Sequence, residues 1–151
     1  MPELSTRPLM KLLLDVGPAT DLRGDSAEGR LIYHVTGGSF EGDRLRGQVK
    51  PVSGDWVSVK DGFARIDVRL LLETDDGAPI YMSYEGVHTL SAEHREILAQ
   101  GRTPDPGTYY FRVAPFFEVS DPKYHWLNKI VTVGVGSRTQ QGVEYDVYEV
   151  L

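Results

Sequence analysis

The chain contains no cysteine. Disulfides, thiolate metal sites and cysteine nucleophiles are therefore excluded, and a reducing compartment is expected, which places the protein in the cytoplasm. Long apolar runs are also missing: Leu12–Leu14 and Leu70–Leu72 are far too short to cross a bilayer. Lys11 and Asp15 bracket the only leucine run near the start, so neither a cleaved signal nor a membrane anchor is expected. No run of four basic residues occurs and the net charge is −6, which argues against nucleic acid as a partner, because phosphate neutralisation needs clustered Lys and Arg. The acidic balance reads as solubility.

Familiar site motifs are equally absent. There is no Gly-x-Ser-x-Gly elbow and no Walker-type phosphate loop. The histidines (His34, His88, His94 and His125) never stand two or four residues apart, so paired zinc-ligand spacing is lacking, although His34 and His88 could converge in space. Gly134-Val135-Gly136 has no following helix and reads as a strand that bends or is closely approached, not as a dinucleotide loop. No metal and no other cofactor is expected.

What is present is a period of two. From Phe63 to Thr74, Ala64, Ile66, Val68, Leu70 and Leu72 alternate with Arg65, Asp67, Arg69 and Glu73, the pattern of a half-buried antiparallel strand. Leu45–Lys50 alternates likewise, and further strands are predicted at Leu9–Val16, Leu31–Phe40, Asp55–Val59, Ile80–Val87, Tyr109–Glu118, Ile130–Arg138 and Glu144–Val150. Asp61-Gly62 supplies a tight hairpin, Asp75–Pro79 a longer reversal, and Gly42-Asp43 and Gln141-Gly142 two more. The stretch Asp21–Arg30 reads as a loop. Ser91 is placed to cap a helix over Ala92–Gln100 that ends at Gly101, and Asp121-Pro122 opens a short helical turn through Tyr124, Trp126 and Leu127. Strands in short-linked succession, without the spacing of parallel crossovers, predict a single all-β domain over residues 1–151. The expected architecture is an antiparallel barrel of about eight to ten strands with one or two short helices.

Two clusters are candidates for chemistry. Asp67 and Arg69 stand two apart on one strand and project to one face about 7 Å apart, with Arg65 beside them. Facing a lumen, the carboxylate is a candidate base and the guanidinium an anion holder. Alternation alone gives this face to solvent. The second cluster is Tyr124-His125-Trp126-Leu127-Asn128 with Phe116, Phe117 and Glu118, which suits either a planar ligand or a plug closing one barrel end.

In order, Gly37-Gly38-Ser39-Phe40 with Leu45-Arg46-Gly47, Gly54-Asp55-Trp56, Asp67-Val68-Arg69, Asp75–Ile80, Tyr84-Glu85-Gly86, Phe111-Arg112, Phe116-Phe117-Glu118 and Tyr124–Asn128 resemble the family called domain of unknown function 3237. The likeness runs from about Leu31 to the C-terminus. It implies a calycin-like antiparallel β-barrel and no established reaction. It also implies that Asp55, Trp56, Asp67, Arg69, Arg112, Trp126 and Asn128 share a pocket, which turns Asp67 and Arg69 inward.

The resulting expectation is a barrel for a small anionic or phenolic molecule. As an enzyme it would perform a cofactor-free lyase or isomerase step, with Asp67 as base, Arg69 and Arg112 as anion holders, Trp56 and Trp126 as walls, and Tyr84 and Asn128 as further donors. A carrier using the same pocket, or an interaction module without chemistry, are the alternatives. A charged lumen would force Ile66, Val68 and Leu70 outward, a stripe to be covered either by a homodimer or larger assembly or by the Ala92–Gln100 helix.

Overall fold

The computed structural model describes all residues from Met1 to Leu151. Nine strand segments follow one another: β1 (Thr6–Asp21), β2 (Gly29–Glu41), β3 (Arg46–Val49), β4 (Ser53–Lys60), β5 (Phe63–Thr74), β6 (Pro79–His88), β7 (Phe111–Glu118), β8 (Thr132–Arg138) and β9 (Gly142–Val150). Both β3 and β4 lie between β2 and β5, β3 on the far half of each neighbour and β4 on the near half. They fill one position as an interrupted strand, so the barrel is eight-stranded. Every pairing is antiparallel, and β1 closes the ring by pairing with both β2 and β9. No sheet edge remains for another chain to extend.

Local chemistry sets these boundaries as anticipated. Asp61 and Gly62, with φ of 53° and 80°, form the two-residue turn that joins Lys60 to its partner Phe63. Such a turn matches the twist of its flanking strands only when both central residues take positive φ. The loop read at Asp21–Arg30 is shorter, because β1 runs on to Asp21 and β2 begins at Gly29. Two register shifts in β1, between Asp15 and Ala19, bend it over the barrel end.

The alternation in β5 resolves against the inward placement of its charges. Ile66, Val68, Leu70 and Leu72 are all buried, between 0% and 3% exposed, and pack with Ile80, Met82 and Tyr84 of β6 inside the barrel. Arg65, Asp67 and Arg69 stand on the outer face. The physical reason is direct: turning this strand over would exchange four aliphatic side chains, each stabilising by about 1.5–3 kcal/mol on burial, for charges that must be desolvated. With the aliphatic stripe inside, the outward stripe that suggested a homo-oligomer does not exist.

The two barrel ends differ. One is plugged by the 3-10 helix Pro122–Lys129, capped by Asp121, which buries Tyr124 and Leu127. Tyr124 donates its hydroxyl to Asp76 at 2.8 Å and Lys123 pairs with the same carboxylate at 2.7 Å, fastening the plug to the β5–β6 turn. These bonds, with one from Thr74, hold Asp76 well below the usual carboxylate range. The other end is crossed by α1 (Ala92–Ala99), which has no buried residue. The Ser91 side chain and the His94 backbone and ring form a reciprocal cap there, and His94 Nε2 reaches Thr108 Oγ1 at 2.9 Å. No helix is long and apolar enough to cross a membrane.

Candidate functional site

At the α1 end lies a cavity of about 190 Å³, walled by Leu31, Val57, Ile66 and Phe111 and carrying Tyr33, Asp55, His88 and Arg138 as polar lining. Arg23 and Arg95 stand at its rim, where it opens into an outer compartment of about 330 Å³ that shares His88, Leu90 and both rim arginines. Strand phase explains why these side chains meet. Asp55 precedes Val57 and Val59 on the inward face of β4, and cross-strand register sets Tyr33, Asp55, Val68 and Tyr84 in one row over four strands. His88 ends the inward series Ile80, Met82, Tyr84 on β6, and Arg138 ends the series Gly134, Gly136 on β8.

Gly136 makes room for this arrangement. A Cβ there would lie 2.7 Å from the Phe111 ring, so only glycine lets Phe111 lie flat against β8. Phe111 in turn stacks on His88 at 4.0 Å between centroids and meets Tyr145 edge to face at 5.3 Å. The Gly134–Gly136 segment is thus a closely approached strand, as its sequence suggests.

The polar groups are held away from their ordinary protonation behaviour. Burial pushes the Asp55 carboxyl up to about 6, and the nearby Asp67 charge adds to this, while the Asp67 backbone N–H, donated at 3.2 Å, and the Arg138 charge oppose it. Burial brings His88 down to about 3, helped by the Arg138 and His94 charges, so the imidazole is neutral at pH 7. Burial likewise raises both Tyr84 and Tyr145, and the Asp55 charge adds to each. These two rings meet edge to face at 5.3 Å. Three buried atoms have no protein partner: Tyr84 Oη, His88 Nε2 and Arg138 Nε. An unsatisfied buried polar atom costs about 1–3 kcal/mol, and two of the three belong to residues, His88 and Arg138, that line the cavity with Asp55.

Of the residues expected to share a pocket, Asp55 and Tyr84 are brought together inside the barrel, Asp67 and Arg69 meet on its outer wall in a groove that Tyr84 also lines, with Trp56 beside Arg69, and Arg112, Trp126 and Asn128 stand apart from both. Asp67 and Arg69 face outward with side chains 38% and 61% exposed, in a loose pair at 3.9 Å. Their groove on the outer wall includes Tyr81, Ser83 and Phe116, and is separate from the lumen. Trp56 is also outside, with the Arg69 guanidinium 5.6 Å from its ring. Arg112 lies exposed over Tyr110 at 5.0 Å. Trp126 sits at the plugged end beneath Arg44, at 4.0 Å. Asn128 there accepts from Val119 N–H at 2.9 Å and donates to Val119 C=O at 2.8 Å, a structural clamp. The aromatic cluster is thus the plug of the two readings it allowed. His34 does not meet His88: it is exposed, with Nε2 at 2.7 Å from Pro51 C=O. No three His, Asp or Glu side chains gather as a metal-binding set.

His88, Arg138, Tyr145 and Tyr33 were missed. Tyr33, His88 and Tyr145 occupy the apolar phase of their strands and Arg138 the glycine-bearing phase of β8, a signal present in the alternation but overshadowed by the charged pair on the opposite phase of β5.

The barrel closely matches solved structures. A β-barrel-like protein of Acinetobacter baumannii shares 44% identity with a TM-score of 0.83, covering 100% of this chain and 98% of that one. A Rhodopseudomonas palustris protein of unknown function shares 30% identity with a TM-score of 0.88, covering 100% and 99%. A barrel described as an enzyme from Penicillium herquei has a TM-score of 0.76 at 22% identity over 100% and 98% of the two chains, a likeness of fold alone. In sequence, a UPF0311 protein of Clostridium acetobutylicum is 33% identical over 122 residues, 80% of this chain and 77% of that one. The profile of the family described as protein of unknown function (DUF3237) matches residues 4–150, and the chain belongs to that family.

Proposed function

We propose that this barrel binds a small anionic or phenolic compound through its α1 end, and that Asp55 acts there as a cofactor-free acid–base group in a lyase- or isomerase-type step. The observation that carries the reading is the convergence of Asp55, His88 and Arg138 on one cavity, with the last two presenting buried atoms that no protein group satisfies. A barrel built only for stability would place aliphatic side chains at these inward positions. A carboxyl moved towards neutrality also suits proton transfer, since a base is most effective near the working pH. The description of a Penicillium herquei barrel of the same fold as an enzyme is compatible with chemistry in such a lumen. Asp55 replaces Asp67 as the proposed base. Asp67 is assigned a supporting part through its backbone amide, and Arg138 takes the anion-holding part first given to Arg69 and Arg112.

The mostly aliphatic wall favours one alternative, a carrier that uses the same cavity without chemistry. The two are separated by deuterium exchange at an acidic C–H. Wild-type protein incubated in D2O with phenylacetone, a neutral ketone that leaves Asp55 free to ionise and becomes an enolate only as its C–H proton moves to the carboxylate, is expected to wash deuterium into the benzylic position faster than buffer does, as read by proton NMR. Asp55→Asn should bind phenylacetone yet exchange at the buffer rate. Binding by wild type without accelerated exchange would leave the carrier.

A further inference from the structure

Resting on that acid–base reading, we propose that the cavity takes up a ring-sized organic acid together with its acidic proton, the anionic oxygen against the Arg138 guanidinium and the proton held by the Asp55 carboxyl. Size is the first constraint. The inner space of about 190 Å³ exceeds only slightly the roughly 150 Å³ that accommodates benzene in an engineered core. One six-membered ring fits, and the compartment beyond the rim leaves room for a substituent.

Charge is the second constraint. Around Asp55 inside the barrel stand Tyr33 from β2, Tyr84 and His88 from β6, Arg138 from β8 and Tyr145 from β9, with Arg23 of the β1–β2 loop and Arg95 of α1 at the rim, while the Asp67 carboxylate of β5 acts on it from the outer face. Arg23 is already engaged in a two-armed contact with Asp21, at 3.0 and 2.9 Å, and Arg95 donates to Leu90 C=O at 3.0 Å. Arg138 alone offers a buried N–H without an acceptor. It lines the cavity with Asp55 without closing an ion pair on it, so each retains capacity for a third group. With His88 neutral, the carboxylate and the guanidinium balance. A bare anion would unbalance them, and two negative charges confined in a small desolvated space cannot both persist. The anion therefore enters with a proton, which is equivalent to a neutral acid donating to an ionised Asp55.

This equivalence gives two probes opposite pH dependences. Benzoate is an anion in solution and must collect its proton on Asp55. Its affinity should be level below the Asp55 midpoint of about 6 and weaken about tenfold per pH unit above it. Phenol carries its own proton and needs Asp55 ionised, so it should be level above that midpoint and weaken below it. Benzamide, isosteric with benzoate but neutral, should bind without either slope.

The experiment is titration calorimetry of the whole protein with benzoate, phenol and benzamide from pH 5 to 8, in buffers of different ionisation enthalpy so that proton uptake is counted. At pH 7.5 benzoate should take up close to one proton and phenol none. Arg138→Gln should weaken benzoate about tenfold or more and leave benzamide unchanged. The wild-type slopes test the proposal without any variant. Benzamide binding as tightly as benzoate at pH 5.5, or benzoate binding without proton uptake, would overturn the acid-plus-proton proposal while leaving a ligand cavity. Failure of all three probes to bind at millimolar concentration would remove the small-molecule function itself.

Discussion

Replacing Asp55 by Asn should stabilise the protein at neutral pH, although it removes the group proposed to do chemistry. The carboxyl ionises at about 6 in the barrel against an ordinary value of 3.8. Because the folded value is the higher one, the native state holds a proton that the unfolded chain has already released between these two values, and wild-type stability falls as pH rises through that window. At about 1.4 kcal/mol per pH unit, holding Asp55 ionised in the fold costs about 3 kcal/mol at pH 7.5. Asparagine carries no charge and keeps an oxygen to accept the Asp67 backbone N–H now donated at 3.2 Å. Asp55→Asn should therefore exceed wild type by about 2–3 kcal/mol at pH 7.5, which for a chain of this size is roughly 6–10 °C in Tm. The two proteins should come within about 1 kcal/mol of each other near pH 4 and converge below the ordinary carboxyl value of 3.8, where wild-type Asp55 is protonated in both states. Thermal and urea unfolding of both proteins from pH 4 to 8 measure this directly. A variant less stable than wild type at pH 7.5, or a difference that does not grow between pH 4 and 6, would refute the claim that Asp55 is a desolvated, underpaired carboxyl.

His88 gives a slope of opposite sign: its value is lowered to about 3, so stability is lost as pH falls below 6.5, and His88→Phe should gain on wild type progressively from pH 6.5 to 4 in the same unfolding series. Asp67→Asn should change stability by less than about 1 kcal/mol in urea unfolding, because its pair with Arg69 is exposed and 3.9 Å long; a larger loss would reinstate a structural role for the pair. Asn128→Ala should cost about 2–3 kcal/mol in the same assay, since it strips both bonds from the Val119 backbone while leaving the α1-end cavity and its ligands unaffected.

The architecture was legible because its signals are local and repeated. Period-two alternation, paired turn residues and capping residues each act over a few positions, and all nine predicted strands overlap the observed segments. Only closure needed more than local signals. That Leu45–Lys50 and Asp55–Val59 fill one position of an eight-stranded ring depends on β2 and β5 being long enough to pair with both, which is a property of register and not of either segment alone. The plug was equally readable, because Asp121-Pro122 is a start signal whatever the helix covers.

The site is harder to read because the conspicuous charges stand in the outward phase of β5. Asp67 and Arg69 are conspicuous as a pair, but they alternate with Ile66, Val68, Leu70 and Leu72, and four aliphatic side chains outweigh any lumen the two charges could build. The informative residues are the reverse: polar groups standing where the alternation calls for an aliphatic one. Asp55 shares its phase with Val57, Tyr84 and His88 share theirs with Ile80 and Met82, and Tyr145 shares its with Val147. They break the pattern on three different strands, and the two on β6 stand four residues apart, so no short motif joins either of them to Asp55 or Tyr145. Barrel closure gathers them, and its cost is visible as three unsatisfied atoms and a carboxyl displaced from its ordinary value. One end of the same barrel is sealed by Tyr124 and Leu127 with no buried side-chain polar atom left unpaired, which shows that this chain has the means to close a lumen. At the α1 end those means are not used, and His88 and Arg138, each with a buried atom left unpaired, line the cavity there.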